Sequence, residues 1–326
     1  MPENRKYFVN RSVHLITART EEGLPLVPSL ILNFIIWGIL SRARTMYQVK
    51  VCHFLFMANH FHMMIVIDNP EHVSAFTGYV KGETAHAINR LLGRRRKTIR
   101  AEGYDSPIIL TYDDVLRYII YIYLNPIKAS LVSSIDEYPG VSSWSMFISG
   151  NLTKKCKHTR RDDIKVLPLP ALSINEQKQL VDKYDNLSQS NNTFTLEPFA
   201  WMNCFPALAG VDKEKCQAQI ISNLRAEEKK LLEQRKQTKS QPLGATTLRR
   251  QSMIKEHIPK KFGRKMICLA FDKELRKDFI SHFRYLCQLA RKAYEAWKRG
   301  DLQLEIPPGL FAPALPTLVV SLPLIL

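Results

Sequence analysis

The sequence predicts an α+β domain followed by a basic, mainly helical region. Three observations carry this. Over the first 150 residues, short runs rich in β-branched and aromatic residues alternate with longer amphipathic stretches. Two of the runs, residues 49–57 and 60–67, are separated only by Ala58-Asn59, a hairpin signal. Beyond residue 150 the apolar runs give way to basic stretches with helical spacing.

Each element has its own reason. Residues 12–18 alternate as a strand does, and residues 27 to about 47 form an apolar helix with a polar end at 41–44. The hairpin follows, then a helix from Pro70 to about Leu92 with one polar face. Residues 106–111 make a short fourth strand. A helix runs from 113 to about 125, with Asp113 or Asp114 as its N-cap. The order β-α-β-β-α-β-α is that of a ferredoxin-like antiparallel sheet with one further helix.

The chain divides near Ser149-Gly150, giving domains at 1–150 and 151–326. Ser173 and Glu176 have capping-box spacing for a helix to about residue 184. Residues 186–195 are rich in Ser and Asn and read as a linker. Residues 212–237 and 271–299 read as long helices.

Charge follows the same division. The chain holds 47 Lys+Arg and 30 Asp+Glu, a formal net charge of +17. Residues 1–150 hold 16 basic and 12 acidic side chains, whereas 151–326 hold 31 and 18. Such an excess favours a polyanionic partner. The six cysteines (52, 156, 204, 216, 268, 287) form no C-x-x-C pair, which argues against a zinc ribbon and fits a reducing cytoplasm. The first apolar stretch is broken by Asn10, Arg11 and Arg19, unlike a signal peptide. Residues 24–40 contain Pro25, Pro28, Ser29 and Asn33 and read as a core helix, and prolines interrupt the uncharged 309–326 tail. No membrane partner is expected.

Chemistry concentrates in two motifs. In Asn59-His60-Phe61-His62, strand alternation puts both imidazoles on one face, about 7 Å apart along the strand. Two such rings can converge on one metal ion. In Arg117-Tyr118-Ile119-Ile120-Tyr121-Ile122-Tyr123-Leu124-Asn125-Pro126, Tyr121 and Asn125 share a helix face. Pro126 disfavours the helical conformation at Asn125, so the amide is expected at the helix end, free to reach outward.

Together these motifs resemble the single-tyrosine HUH transposases, most closely the REP-associated tyrosine transposases, over about residues 8–148. Tyr138-Pro139 and Ser142-Ser143-Trp144 resemble the run that ends their domain. The family has an apolar-Pro pair before Asn-His, where this chain has Met57-Ala58. The resemblance implies the HUH endonuclease fold. It also implies His60, His62 and Asn125 as ligands of Mg²⁺ or Mn²⁺ and Tyr121 as nucleophile, with Tyr118 and Tyr123 as competitors. The implied activity is cleavage and rejoining of single-stranded or hairpin DNA through a 5′-phosphotyrosine. The protein would be a monomer or a homodimer, cytoplasmic and nucleoid-associated.

DNA contacts are assigned to Arg94, Arg95, Arg96, Lys97 and Arg100, the densest basic run, and to Arg117. A non-catalytic domesticated DNA-binding protein is the alternative. A His-x-His metallohydrolase on another fold would need a further carboxylate ligand, and position 64 is methionine.

Overall fold

The computed structural model describes residues 6–20, 29–57, 59–93, 103–167, 172–188, 191–238, 241–251 and 266–315. Its elements in chain order are β1 (Ser12–Arg19), α1 (Leu30–Met46), β2 (Lys50–Phe56), β3 (His60–Ile67), α2 (Pro70–Leu91), β4 (Ile108–Ile109) and α3 (Tyr112–Lys128). There follow α4 (Trp144–Ser149), β5 (Thr153–Lys157), α5 (Ile174–Leu187), β6 (Asn191–Thr195), α6 (Lys213–Gln237), α7 (Ala245–Arg249), β7 (Cys268–Leu269) and α8 (Lys273–Lys298).

The main sheet has the order β2-β3-β1-β4-β7. Its first four strands are antiparallel, and their order is the ferredoxin-like one. The register between β1 and β3 runs from Ser12↔Ile67 to Arg19↔His60. The fifth strand, β7, comes from the C-terminal region and pairs parallel to β4 through Ile108↔Cys268 and Ile109↔Leu269. At the other end, residues 141–143 lie along β2. Phe56 N–H donates to the Val141 carbonyl (2.8 Å) and Ser143 N–H to that of Phe54 (3.0 Å). Later chain thereby lies along both outer strands of the four-stranded core.

Both sheet faces are packed. Consecutive strand residues point to opposite faces. In β2, Phe54 meets Trp37 of α1 (ring centroids 5.5 Å apart), whereas His53 meets Tyr123 of α3 (5.6 Å). Helix α1, packed against α2, therefore covers one face, and α3 covers the other.

The helix ends show how local sequence sets boundaries. Ser29 caps α1 by accepting from Leu32 N–H, and Asn69 caps α2 ahead of Pro70. Helix α3 differs from expectation at both ends. Its cap is Thr111, whose hydroxyl accepts from Asp114 N–H, rather than Asp113 or Asp114. Asp114 is instead buried, accepting from the Thr111 hydroxyl (2.6 Å) and from Phe271 N–H (2.9 Å). At the far end α3 passes through Pro126 to Lys128. A proline so near the end removes one N–H, which the burial of Leu124 and Ile127 offsets.

The C-terminal region is built onto this core. Residues 191–195, expected as linker, form β6, antiparallel to β5. Phe194 is wholly buried against Trp37 and Phe54 (5.6 Å each), so one apolar side chain draws a polar run into a strand. The hairpin sits so close to α1 that a Cβ on Gly38 would lie 2.3 Å from the Lys157 carbonyl oxygen. The Ser173 capping box is present, and Gln177 of α5 accepts from Leu30 N–H at the start of α1 (2.8 Å). Helix α6 packs along α3, and its Arg235 donates to the carbonyls of Val132 (3.2 Å) and Ile127. The bond to Ile127 reaches a carbonyl at the end of α3, and the bond to Val132 ties down the chain just after it.

Candidate active site

The site lies where β1, β3 and α3 meet. His60 opens β3 opposite Arg19, and His62 stands opposite Thr17. The turn before β3 is tied down: Met57 N–H donates to the His60 carbonyl (2.7 Å) and Thr20 N–H to that of Asn59 (2.8 Å). The two imidazoles lie with centroids 4.8 Å apart, nearly perpendicular at 81°. Each uses its Nδ1 in a hydrogen bond, His60 with Asn59 Oδ1 (2.7 Å) and His62 with Thr17 Oγ1 (2.9 Å). An amide oxygen only accepts, so the proton of His60 sits on Nδ1 and its Nε2 carries a lone pair. The Nε2 of His62 is buried and has no hydrogen-bond partner among the described residues.

Burial pushes the pKa of His60 down to about 4, and the neighbouring Arg19 pushes the same way. His62 is held well below its ordinary value by burial, by His60 and by Arg19. Both rings are neutral at neutral pH, the state in which imidazole ligates metal.

Helix α3 delivers the tyrosines. Tyr121 packs its ring against His62, with centroids 5.3 Å apart at 68°. Tyr118 lies 5.8 Å from Tyr121, and burial raises its pKa above the ordinary tyrosine value. Tyr123 points elsewhere. It is fully buried, its hydroxyl bonded to His53 Nδ1 (2.8 Å) and Ser143 Oγ (2.9 Å), and burial drives its pKa far up. Of the three tyrosines in the run, Tyr121 meets the histidine pair.

Asn125 stands one turn along α3, inside the helix rather than at its end. Its Nδ2 donates to the Tyr121 carbonyl (3.0 Å). That bond sets the amide's orientation and leaves its oxygen as the outward acceptor. Two imidazole nitrogens, joined by the amide oxygen of Asn125, would make a mixed N/O donor set of the kind that suits Mn²⁺ and accommodates Mg²⁺. The orphaned Nε2 of His62 is the observation that fits such an ion. Among the described residues no group of three or more His, Cys, Asp and Glu could hold a metal.

Arg117, one turn before Tyr121, is exposed and lies over the ring of Phe271, its guanidinium carbon 4.2 Å from the centroid. Arg94, Arg95, Arg96, Lys97 and Arg100 lie outside the described residues. Two neighbours of the site escape sequence reasoning. Lys128 places its ammonium 5.6 Å from the Tyr121 ring centroid, a position legible only as an i+7 cation once α3 is known to pass Pro126. Arg19 stands beside the histidines through strand register alone.

Comparison with known proteins gives a match over part of the chain. Residues 28–107 match the family model "Transposase IS200 like". The N-terminal region resembles the IS200-like transposases. The matched segment contains both histidines and stops short of α3, so the tyrosine helix rests on its own geometry. A solved structure described as a REP-associated tyrosine transposase bound to a REP hairpin is 16% identical. It aligns over 47% of this chain and 88% of its own, with a TM-score of 0.39. No curated protein matches the chain. Among the described residues no helix is long and apolar enough to cross a membrane.

Proposed function

We propose that this transposase-like protein cuts and rejoins single-stranded or hairpin DNA through a covalent link to Tyr121. The observation that carries the reading is the meeting of Tyr121 with His62, whose buried Nε2 has no hydrogen-bond partner among the described residues. A buried polar atom left unpaired costs about 1–3 kcal/mol, a cost that ligand binding removes.

The residues divide the work as follows. His60, His62 and Asn125 hold a divalent cation, Mg²⁺ or Mn²⁺. When bound, this ion polarises the scissile phosphate and neutralises charge that develops on it. Thr17 and Asn59 fix the two rings through Nδ1, which would leave both Nε2 atoms to ligate such an ion. Tyr121 Oη attacks phosphorus, forming a phosphotyrosine bond to the 5′ side and breaking the bond to the 3′ oxygen. The phenol proton passes to water, and the departing 3′ oxygen takes up a proton to become a hydroxyl. The ester conserves the bond energy, so a second 3′-hydroxyl can reverse the step without a nucleotide cofactor.

Arg117 and the basic run at 94–100 hold the DNA backbone. Residues 1–150 form the catalytic part and 151–326 an accessory part. The protein works at the nucleoid, as a monomer or a homodimer.

The test is incubation with end-labelled single-stranded and hairpin oligonucleotides in Mn²⁺, followed by a denaturing gel. A protein–DNA adduct is expected with the unaltered chain and none with Tyr121→Phe. An adduct that survives Tyr121→Phe would move the nucleophile to Tyr118. No adduct across a broad hairpin library would overturn the enzymatic reading.

A further inference from the structure

We infer that Phe271 is a nucleobase-stacking platform that the C-terminal region adds to the N-terminal site. It would receive a base of the single-stranded DNA whose backbone runs along α3. The inference rests on the function proposed above and names how that site grips its substrate.

Phe271 is 76% exposed, the most exposed large apolar side chain among the described residues. Single exposed apolar residues are common on protein surfaces and call for no explanation by themselves. This one is held in place from three sides. Its backbone N–H donates to the buried carboxylate of Asp114 in the first turn of α3 (2.9 Å). The residues before it are paired into the sheet, with Leu110 N–H donating to the Leu269 carbonyl (3.1 Å). Asp272, next in sequence, caps α8. The ring is thus presented at a set position while most of its surface stays in water.

One part of the ring meets the Arg117 guanidinium at 4.2 Å. A cation stacked on an aromatic face loses mobility but keeps its N–H edges free for phosphate oxygens. Arg117, Tyr121 and Lys128 lie within about 40° of one another around the α3 axis at 100° per residue. They span about 16 Å at a rise of 1.5 Å per residue. The stripe therefore carries a cation at each end and Tyr121 between them. It suits a strand whose phosphates meet Arg117 and Lys128, with the cut at Tyr121. Phe271 stands at the Arg117 end, where the adjoining base needs an apolar face. Stacking of this kind accepts any base, because every base has a π-face.

Binding to a labelled dT oligonucleotide is measured without added metal, in the full-length chain carrying Tyr121→Phe so that no adduct forms. Phe271→Ala is expected to weaken binding by about five- to 150-fold, the range of one lost base–aromatic stack. The slope of log affinity against log salt should stay unchanged. Arg117→Ala should weaken binding and reduce that slope by about 0.7, one phosphate contact on a single strand. Phe271→Trp should restore affinity, and its indole fluorescence should be quenched by the oligonucleotide.

Unchanged affinity in Phe271→Ala, or absence of quenching in Phe271→Trp, would overturn the inference. A homodimer that Phe271→Ala dissociates, with DNA binding intact, would assign the ring to a second copy and likewise overturn it. Stacking by Phe271→Trp in a protein that never forms an adduct would sink the proposed catalysis alone. Adduct formation indifferent to Phe271 would sink this inference alone.

Discussion

Two histidine–tyrosine pairs sit side by side between the sheet and α3, and only one keeps a ring nitrogen unpartnered among the described residues. His53 and Tyr123 meet at 5.6 Å, His62 and Tyr121 at 5.3 Å. The elements are equivalent: a strand histidine under a helix tyrosine. The difference lies in the second ring nitrogen. His53 bonds Tyr123 through Nδ1 (2.8 Å) and the Pro198 carbonyl through Nε2 (3.1 Å), so both nitrogens are satisfied. His62 bonds Thr17 through Nδ1, and its Nε2 stays unpartnered among the described residues. Residue type and packing do not distinguish the two pairs; the free ring nitrogen of His62 does.

The sharpest way to break the comparison is to remove each histidine in turn. His62→Ala should lower adduct formation about a thousandfold or more, since it loses one ligand of the charge-stabilising ion, worth several kcal/mol. Its urea midpoint should fall less than that of His53→Ala, since one ring nitrogen of His62 is already unpartnered. His53→Ala should do the reverse. It leaves a cavity and an unsatisfied Tyr123 hydroxyl, costing about 3 kcal/mol in urea unfolding. If both variants lose stability equally and His62→Ala keeps its adduct, the distinction collapses.

Acid probes the buried histidines of both pairs without mutation. Burial holds His53 at about 3 and His14, likewise wholly buried, at about 4. Unfolded histidines titrate near 6.5. Between those limits the unfolded chain binds protons that the folded chain refuses, so stability rises with pH. Unfolding free energy should therefore fall as pH drops from about 7 toward 4, by about 3 kcal/mol from His14 alone. A flat urea midpoint over that range would contradict the buried, neutral state.

Smaller effects follow. Tyr123→Phe should cost about 1–2 kcal/mol, the loss of the hydroxyl that bridges His53 and Ser143, with the adduct retained. Arg19→Gln should act on the open pair alone. Removing a positive charge opposite His60 should tighten Mn²⁺ binding about two- to tenfold in a metal titration. It should weaken oligonucleotide binding by a similar factor.

Much of the fold is legible in the chain. The seven elements and their order follow from apolar periodicity and turn residues, and the order implies the sheet. Within the site, strand alternation already puts His60 and His62 on one face, and helical spacing relates Tyr121 to Asn125. What escapes is the part set by tertiary context. Tyr123 and Tyr121 have similar local sequence, and only the position of His53 tells which is closed. Pro126 normally forecasts a helix end, yet buried neighbours and the Arg235 bonds carry α3 beyond it. Residues 191–195 look like linker because one aromatic, Phe194, gives too little pattern to reveal a strand. Arg19 and Phe271 approach the site only through register and through β7, which no local window contains.

The parallel pairing of β4 with β7 also has a consequence in time. Ile108 and Cys268 are partners although 160 residues separate them in the chain. At about 5–20 residues per second, a ribosome takes some 8–32 seconds to cover that distance. During that interval the nascent protein holds its histidines and tyrosine helix while β4 waits without its outer neighbour. The Arg117–Phe271 contact is therefore completed only after β7 has been made, well behind the histidines and the tyrosine helix.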